Sequence, residues 1–481
     1  MTLIDAILML ACGLAFARWP MSTPLALVAV VGAAAATLVL EGWRAPLVPA
    51  YAVGVGLLIA ALLPVERLPQ WLQWLGLGGG LLLLAVSVAG CIVLPFRSFP
   101  PSAGPYSVGT VAVPAELIER FTPKSAKPQA RPAPLARLWY PTAPLPPQSW
   151  IGQQFLPRNR DPGAEGATPS SVPAQFPIVL YFAGWPGTEI QNFVLIRELA
   201  SRGFMVVSLI YPGKLPSMSD AEFAQHVADF KTPWDYSSEA GAKRMGQLFD
   251  ERVRHGAEDA AAMLDLLGAV NDQGALPQFR GRLALDHAGV FGFSMGGGVA
   301  AQAGWLEPRF KAVVNLDGWH WHESLQQGVP RPYLYMSEIL FMPTPNDLAS
   351  SNLETRYAAE RHQIEYTNVP RILERSGGTQ VTLTGMTHMN FTDRNLHSPL
   401  RRLSGGGTID RFRALEVVNA YVCSFFEREL QGRTEPLLDG DSSRFPEAKV
   451  KVWPTPTGGS ASAATLTSST KGDPPAVPGR L

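Results

Sequence analysis

Three cysteines occur in 481 residues. Cys12 and Cys91 lie in apolar segments and Cys423 stands alone in the polar remainder, which excludes both a disulfide scaffold and a cysteine-based metal site there. Net charge is lacking too, with 40 Lys and Arg against 40 Asp and Glu. No basic stripe runs along the chain, so nucleic acid is not an expected partner. The N-terminus lacks the form of a cleaved signal, because Asp5 precedes its first apolar run and further apolar runs follow.

Local absences say more. No charged side chain occurs from Ser22 to Leu40, from Ala45 to Val65 or from Leu68 to Phe96. A helix needs about 20 mainly apolar residues to cross a bilayer, so each run is expected to span a membrane. Ala6 to Ala17, extended by Thr2 to Ile4, gives a fourth candidate. Residues 1–96 are therefore expected to be a retained anchor, making this a multi-pass integral membrane protein. Arg18 and Arg67 would fall on one side and Arg44 and Arg97 on the other, a tie that leaves orientation open.

Beyond Phe96 the composition changes. A Pro-rich approach, Ser98 to Tyr106, and a loop-like stretch from Pro141 to Pro173 place a linker and the first strands in 97–175. From Phe176 short apolar runs alternate with helical stretches, the pattern of an α/β fold with a mainly parallel sheet flanked by helices. Strands are expected at Pro177–Phe182, Phe204–Ile210, Ala288–Phe293, Ala312–Leu316, Tyr333–Met336 and Gln380–Thr384. Helices are expected at Asn192–Arg202, His255–Leu267, Gly297–Ala303 and from Thr408 as N-cap to about Leu430. The catalytic core is thus assigned to 176–440, and 441–481 to a tail that is largely disordered.

The chemical signal is Gly292-Phe293-Ser294-Met295-Gly296, between an apolar strand and a run of small residues. A bare GxSxG string is weak evidence, but strand before and helix after strengthen it. Gly292 and Gly296 permit a sharp turn that lifts the Ser294 hydroxyl clear of the sheet, with a helix N-terminus aimed at the reacting oxygen. A serine needs an imidazole to take its proton. Five histidines follow Ser294, namely His320, His322, His362, His388 and His397; His388 alone comes shortly after a late apolar strand. The acid that orients it should end a strand, and both Asp317 and Glu338 qualify.

Backbone N–H groups of Met295 and of Trp185, in the turn Ala183-Gly184-Trp185-Pro186-Gly187, are the candidate oxyanion hole; Pro186 has no proton to donate. His320-Trp321-His322 invites a metal reading, yet no Asp, Glu or Cys set completes a ligand spacing. A pocket wall is the plainer account, and Phe293, Trp319, His320 and Phe391 are the candidate pocket residues. No metal or cofactor is called for. The insertion Tyr211 to Leu248, with Trp234 and Tyr236, is a candidate cap over that pocket.

The soluble part resembles the platelet-activating factor acetylhydrolase family, including its bacterial dienelactone-hydrolase-like relatives. The resemblance is carried by GPYSVGT (Gly104 to Thr110), ARLWYP (Ala136 to Pro141), ELASRGFMVV (Glu198 to Val207), RVRHGAEDAAAMLDLL (Arg252 to Leu267), GVFGFSMGGG (Gly289 to Gly298), LDGW (Leu316 to Trp319), LYMSE (Leu334 to Glu338) and HMNFTD (His388 to Asp393). It implies an α/β-hydrolase fold and the triad Ser294, Asp317 and His388, with Glu338 on a segment that is not the acid. It also implies a serine esterase acting on small-molecule or lipid esters, short-acyl or phospholipid-type, with its domain outside the cytoplasm. Two departures are Ala183-Gly184, where the family often has His-Gly, and Phe293, where it commonly has His; both leave substrate choice open.

Two other classes remain on the sequence alone: an inactive hydrolase scaffold serving as a membrane binding or signalling module, and a transporter with an appended domain. The complete Ser, His and Asp set argues against the first, and the lack of charge within the apolar runs against the second. A reporter that works only outside the cytoplasm, fused after Arg97, is expected to be active; activity of a cytoplasmic reporter at that junction would reverse the orientation.

Overall fold

The structure is a computed structural model that describes residues 3–16, 24–40, 45–62, 67–93, 99–122, 134–144, 164–230 and 235–454. Most of the Pro141–Pro173 stretch, Trp234 and the tail beyond Pro454 fall outside these residues. The N-terminal part holds four helices, α1 (Leu3–Phe16), α2 (Pro24–Leu40), α3 (Val48–Leu62) and α4 (Gln70–Val93). Their contact side forms a small core of its own, with Leu8, Val30, Leu57 and Leu84 buried. Among the described residues, two helical stretches are long and apolar enough to span a bilayer, Ala45–Leu62 and Gln70–Val93, rather than the four expected. Over their described residues α1 and α2 are shorter apolar helices, of 14 and 17 residues.

Among the described residues, the remainder is built on one sheet of ten strands. These are β1 (Ser107–Ala112), β2 (Leu135–Thr142), β3 (Ala164–Glu165), β4 (Phe176–Phe182), β5 (Met205–Ile210), β6 (Leu283–Phe293), β7 (Phe310–Leu316), β8 (Tyr333–Glu338), β9 (Gly378–Leu383) and β10 (Ala448–Trp453). Their spatial order is β10-β9-β8-β7-β6-β4-β5-β2-β1-β3, with the central run from β5 to β9 parallel. The expected central strands are all present within a few residues of their predicted limits. β4 (FPIVLYF) and β5 (MVVSLI) are buried along almost their whole length, as strands covered on both faces must be.

Alternation along each strand feeds two cores. Val290 and Val313 enter the core beneath the long helix Glu239–Gln273 and the elbow helix Met295–Leu306. Phe291, Phe293, Val314 and Leu316 enter the opposite one, closed by the helices Phe193–Ser201 and Arg411–Gln431. Each such side chain contributes about 1.5–3 kcal/mol on leaving water.

Several expected boundaries move. The helix placed at His255–Leu267 extends over Glu239–Gln273, with Ser238 as N-cap, so it takes in the end of the Tyr211–Leu248 insertion. The last helix is capped by Asp410 rather than Thr408, because the Asp410 carboxylate accepts from the N–H groups of both Phe412 and Arg413. The sheet also outruns the 176–440 core: β1 and β2 precede it, and β10 pairs antiparallel with β9 inside the stretch assigned to the tail.

The chain passes from β4 to β5 on one side and returns to β6 on the other. A crevice opens at such a switch point, beyond the carboxyl ends of the strands. The turn after β4, Ser294 after β6 and Asp317 after β7 all stand there.

Candidate active site

Ser294 sits between β6 and its helix at φ 54°, in the left-handed region that favours glycine. Its N–H is held by the Leu316 carbonyl at 2.9 Å. A Cβ on Gly292 would lie 2.0 Å from the Gly296 carbonyl oxygen, and one on Gly296 would lie 2.1 Å from that of Phe182. The two elbow glycines are thus required by contact. Asp317 repeats the device at the end of β7, with φ 55° and its N–H on the Met336 carbonyl at 2.7 Å.

His388 opens a short 3₁₀ helix, His388–Phe391, whose start is closed by reciprocal bonds between Thr387 and Asn390. Asn390 Oδ1 also accepts from Gly407 N at 2.7 Å. The following residues fasten this turn to the start of the helix Phe193–Ser201: Val194 N donates to Asp393 Oδ2 at 3.0 Å, and Asn192 donates to the Phe391 carbonyl. The HMNFTD string is thus a clamp for one imidazole.

That imidazole bridges the other two groups. His388 Nε2 lies 2.9 Å from Ser294 Oγ and Nδ1 lies 2.6 Å from Asp317 Oδ2. The Phe293 ring packs beside it at 4.6 Å between centroids. Burial alone would lower the His388 pKa, but the hydrogen bond and charge of Asp317, with the charge of Glu338, outweigh it and hold the pKa above its usual 6.5. Glu338 does not contact the imidazole ring as the acid would. Its backbone N–H donates to Asp317 Oδ1 at 3.1 Å. Burial first, and then the neighbouring Asp317 charge, push its carboxyl up to about 7.

Ser294, Met295, Asp317, His388 and Trp185 line one cavity of about 340 Å³. Trp319 lines it as expected, and Tyr236 comes in from the insertion. The expected pocket residues Phe293, His320 and Phe391 do not. Phe293 and Phe391 point into the core shared with the helix Arg411–Gln431. His320 is fully buried between Glu365 and Tyr333, while His322 bonds the Asp250 carbonyl, so the two imidazoles do not converge. Tyr335, Tyr357 and His362 are lining residues that the sequence reading missed. Tyr357 and His362 come from the helix Leu353–Ser376, whose internal Pro370 hides its helical signal. A second cavity of about 520 Å³ adjoins at Met295 and is lined by Arg244, Arg252, His255 and Asp259.

Around the candidate oxyanion hole, the N–H groups of Gly297 and Gly298 are both taken by the Ser294 carbonyl. Met295 is the first residue of the elbow helix, where N–H groups point out of the helix and favour negative charge. Gly184 N is tied to Gln191 Oε1 at 2.8 Å. The Trp185 ring is gripped between the Phe249 ring, at 5.7 Å, and the Arg252 guanidinium, 4.5 Å from its centroid.

A parallel sheet with a serine elbow, an imidazole and a carboxylate at its switch point defines an α/β-hydrolase fold. The family described as platelet-activating factor acetylhydrolase, isoform II, matches residues 97–442. The chain belongs to that family. It is 26% identical over 174 residues to a protein of Arthroderma benhamiae named "Probable 1-alkyl-2-acetylglycerophosphocholine esterase". That match covers 33% of this chain and 42% of the relative, under half of its length. A ferulic acid esterase from Streptomyces cinnamoneus shares the fold, with a TM-score of 0.52 and 22% identity over 74% of this chain and 99% of that one.

Replacing Gly292 by Ala is expected to destabilise the domain by about 1–3 kcal/mol, seen as a lower melting temperature, because the opposing atoms are backbone and cannot turn aside. A variant that melts with the wild type would mean that the elbow has slack.

Proposed function

We propose that this protein is a serine esterase held at a membrane, and that Ser294, His388 and Asp317 are its catalytic triad. The observation that carries the reading is the single imidazole within hydrogen-bond reach of both the Ser294 hydroxyl and the Asp317 carboxylate. Ser294 Oγ attacks the ester carbonyl as its proton passes to His388 Nε2. Asp317 keeps the other ring proton on Nδ1 and stabilises the imidazolium. The oxyanion is received by the N–H groups of Trp185 and Met295. His388 then returns the proton to the leaving alcohol, and water activated by the same imidazole releases the acid from the acyl-enzyme.

Short-acyl or phospholipid-type esters suit this reading. The acylated glycerophosphocholine named for the Arthroderma relative is such an ester, and the catalytic cavity, at about 340 Å³, is small. Membrane attachment is supported by the outward faces of α3 and α4. Val55, Leu58, Ile59, Leu62, Leu81 and Leu82 are exposed, and only about a quarter of each spanning window is buried inside the protein. Apolar surface on that scale calls for lipid around it.

Purified protein is expected to hydrolyse nitrophenyl esters with rates that fall from acetyl to dodecanoyl. Ser294→Ala should lose turnover and fluorophosphonate labelling together. A rise with acyl length would keep the nucleophile but mean a lipase-like pocket, and no turnover or labelling in folded protein would favour the inactive scaffold.

The pH profile separates the two carboxylates. His388 acts as a base only when neutral, so its raised pKa puts the acid limb of kcat/KM above pH 6.5. Asp317→Asn should cost roughly three to four orders of magnitude in kcat. Glu338→Gln should stay within about tenfold and move the limb to lower pH, because it removes a charge that favours the imidazolium. A larger loss from Glu338→Gln than from Asp317→Asn would exchange their roles.

A further inference from the structure

Behind the Asp317 turn lies a set of polar side chains that the mechanism above does not use. Asn315, His320, Tyr333 and Glu365 are each fully buried, and they come from β7, the turn after it, β8 and the helix Leu353–Ser376. A polar group in such a place is costly unless it is satisfied. Here the hydrogen bonds form one directed series. Asn315 Oδ1 accepts from Gly318 N at 2.8 Å, and Asn315 Nδ2 donates to the Gly318 carbonyl at 3.0 Å. Those two backbone groups fix which way the amide points, since one only donates and the other only accepts.

Asn315 Nδ2 also reaches Tyr333 Oη at 3.2 Å. The tyrosine accepts there, so its proton goes to His320 Nε2, 2.7 Å away. His320 then carries its proton on Nδ1 and donates it to Glu365 Oε2 at 2.8 Å. Glu365 Oε1 accepts from the His320 backbone N–H at 2.7 Å. Arg361, 3.6 Å from that carboxylate, balances its charge and donates to the His320 carbonyl at 2.9 Å.

Both ends of the series bear on the catalytic cavity. Asn315 grips Gly318 at its N–H and its carbonyl, immediately after Asp317, which is held at a left-handed φ of 55°. A Cβ on Gly318 would lie 2.2 Å from the Ser294 carbonyl oxygen, so this turn is pressed against the elbow itself. At the other end the Arg361 guanidinium lies 5.2 Å from the Trp319 ring centroid and 4.2 Å from that of Trp321. Both rings are walls of the cavity that holds Ser294.

We propose that Glu365, His320, Tyr333 and Asn315 are positioning residues for ester hydrolysis, a buried relay that fixes the Asp317 turn so that its carboxylate meets His388. This rests on the reading of Asp317 as the triad acid. The relay touches neither substrate nor the reacting atoms and acts through the direction in which Oδ2 points. Loss of one member leaves a buried partner unsatisfied, and the turn shifts to accommodate it.

Tyr333→Phe tests this with the least disturbance, removing one oxygen and keeping the ring; Glu365→Gln is the second variant. With active sites counted by fluorophosphonate titration, each is expected to lower kcat per site about tenfold or more while KM changes little. The acid limb should move to lower pH, because a displaced carboxylate no longer favours the imidazolium. In an Asp317→Asn background Tyr333→Phe should cost nothing further, since its effect passes through Asp317. The relay is overturned if Tyr333→Phe keeps the wild-type kcat and pH profile, or if its loss is the same with and without Asp317. Wild-type turnover in Asp317→Asn alone would instead sink the triad reading.

Discussion

Around Ser294 the backbone is packed so closely that several positions have room only for hydrogen. Among them are Gly292 near the end of β6, Gly296 and Gly298 in the first turn of the helix and Gly318 in the turn after β7. The consequence is larger than the elbow. It brings the ends of β4, β6 and β7 together, so that Trp185, Ser294 and Asp317, which follow three different strands, line one cavity. Ser294 and Asp317 both hold positive φ, a strain of order 1–3 kcal/mol each that persists only where the surroundings over-determine the conformation. Ladders on both sides of β6 and β7 supply that determination.

This explains which parts were legible from sequence. An elbow needs glycines at fixed offsets from its nucleophile, so GFSMG declares itself. Strands buried on both faces need continuous apolar runs, so β4 to β9 declare themselves too. The outer strands do not. β10 reads AKVKVW, with Lys449 and Lys451 exposed on the edge, the pattern by which edge strands avoid pairing with other chains. β2, which lies between β1 and β5, carries Arg137, paired to Glu165 of β3, and that charge interrupts its apolar run.

The misassigned pocket residues share one cause. His320 lies one residue from Trp319, and Phe391 lies within the clamp that holds His388, yet nearness in sequence is not nearness in space. At a strand end successive side chains leave in opposite directions. Trp319 therefore faces the cavity while His320 turns back into the core, and Phe293 packs the imidazole from the side away from substrate. Glu365 and Tyr357 leave no trace in the sequence, and His362 shows there only as one of five histidines after Ser294, because a long-range contact from a helix has no local signature.

Asp317 and Glu338 stand side by side at the ends of β7 and β8, and chain order alone does not decide between them. Their surroundings favour Asp317 as the proposed acid. Both oxygens of Asp317 accept hydrogen bonds, one from His388 and one from the Glu338 backbone N–H, so the carboxylate is held facing the imidazole. The Glu338 carboxyl is pushed up, by burial and by the Asp317 charge itself. A carboxyl pushed up to about 7 is only partly ionised at physiological pH. The backbone N–H of Glu338 meanwhile holds Asp317 toward His388, which supports Asp317 rather than Glu338 as the orienting acid.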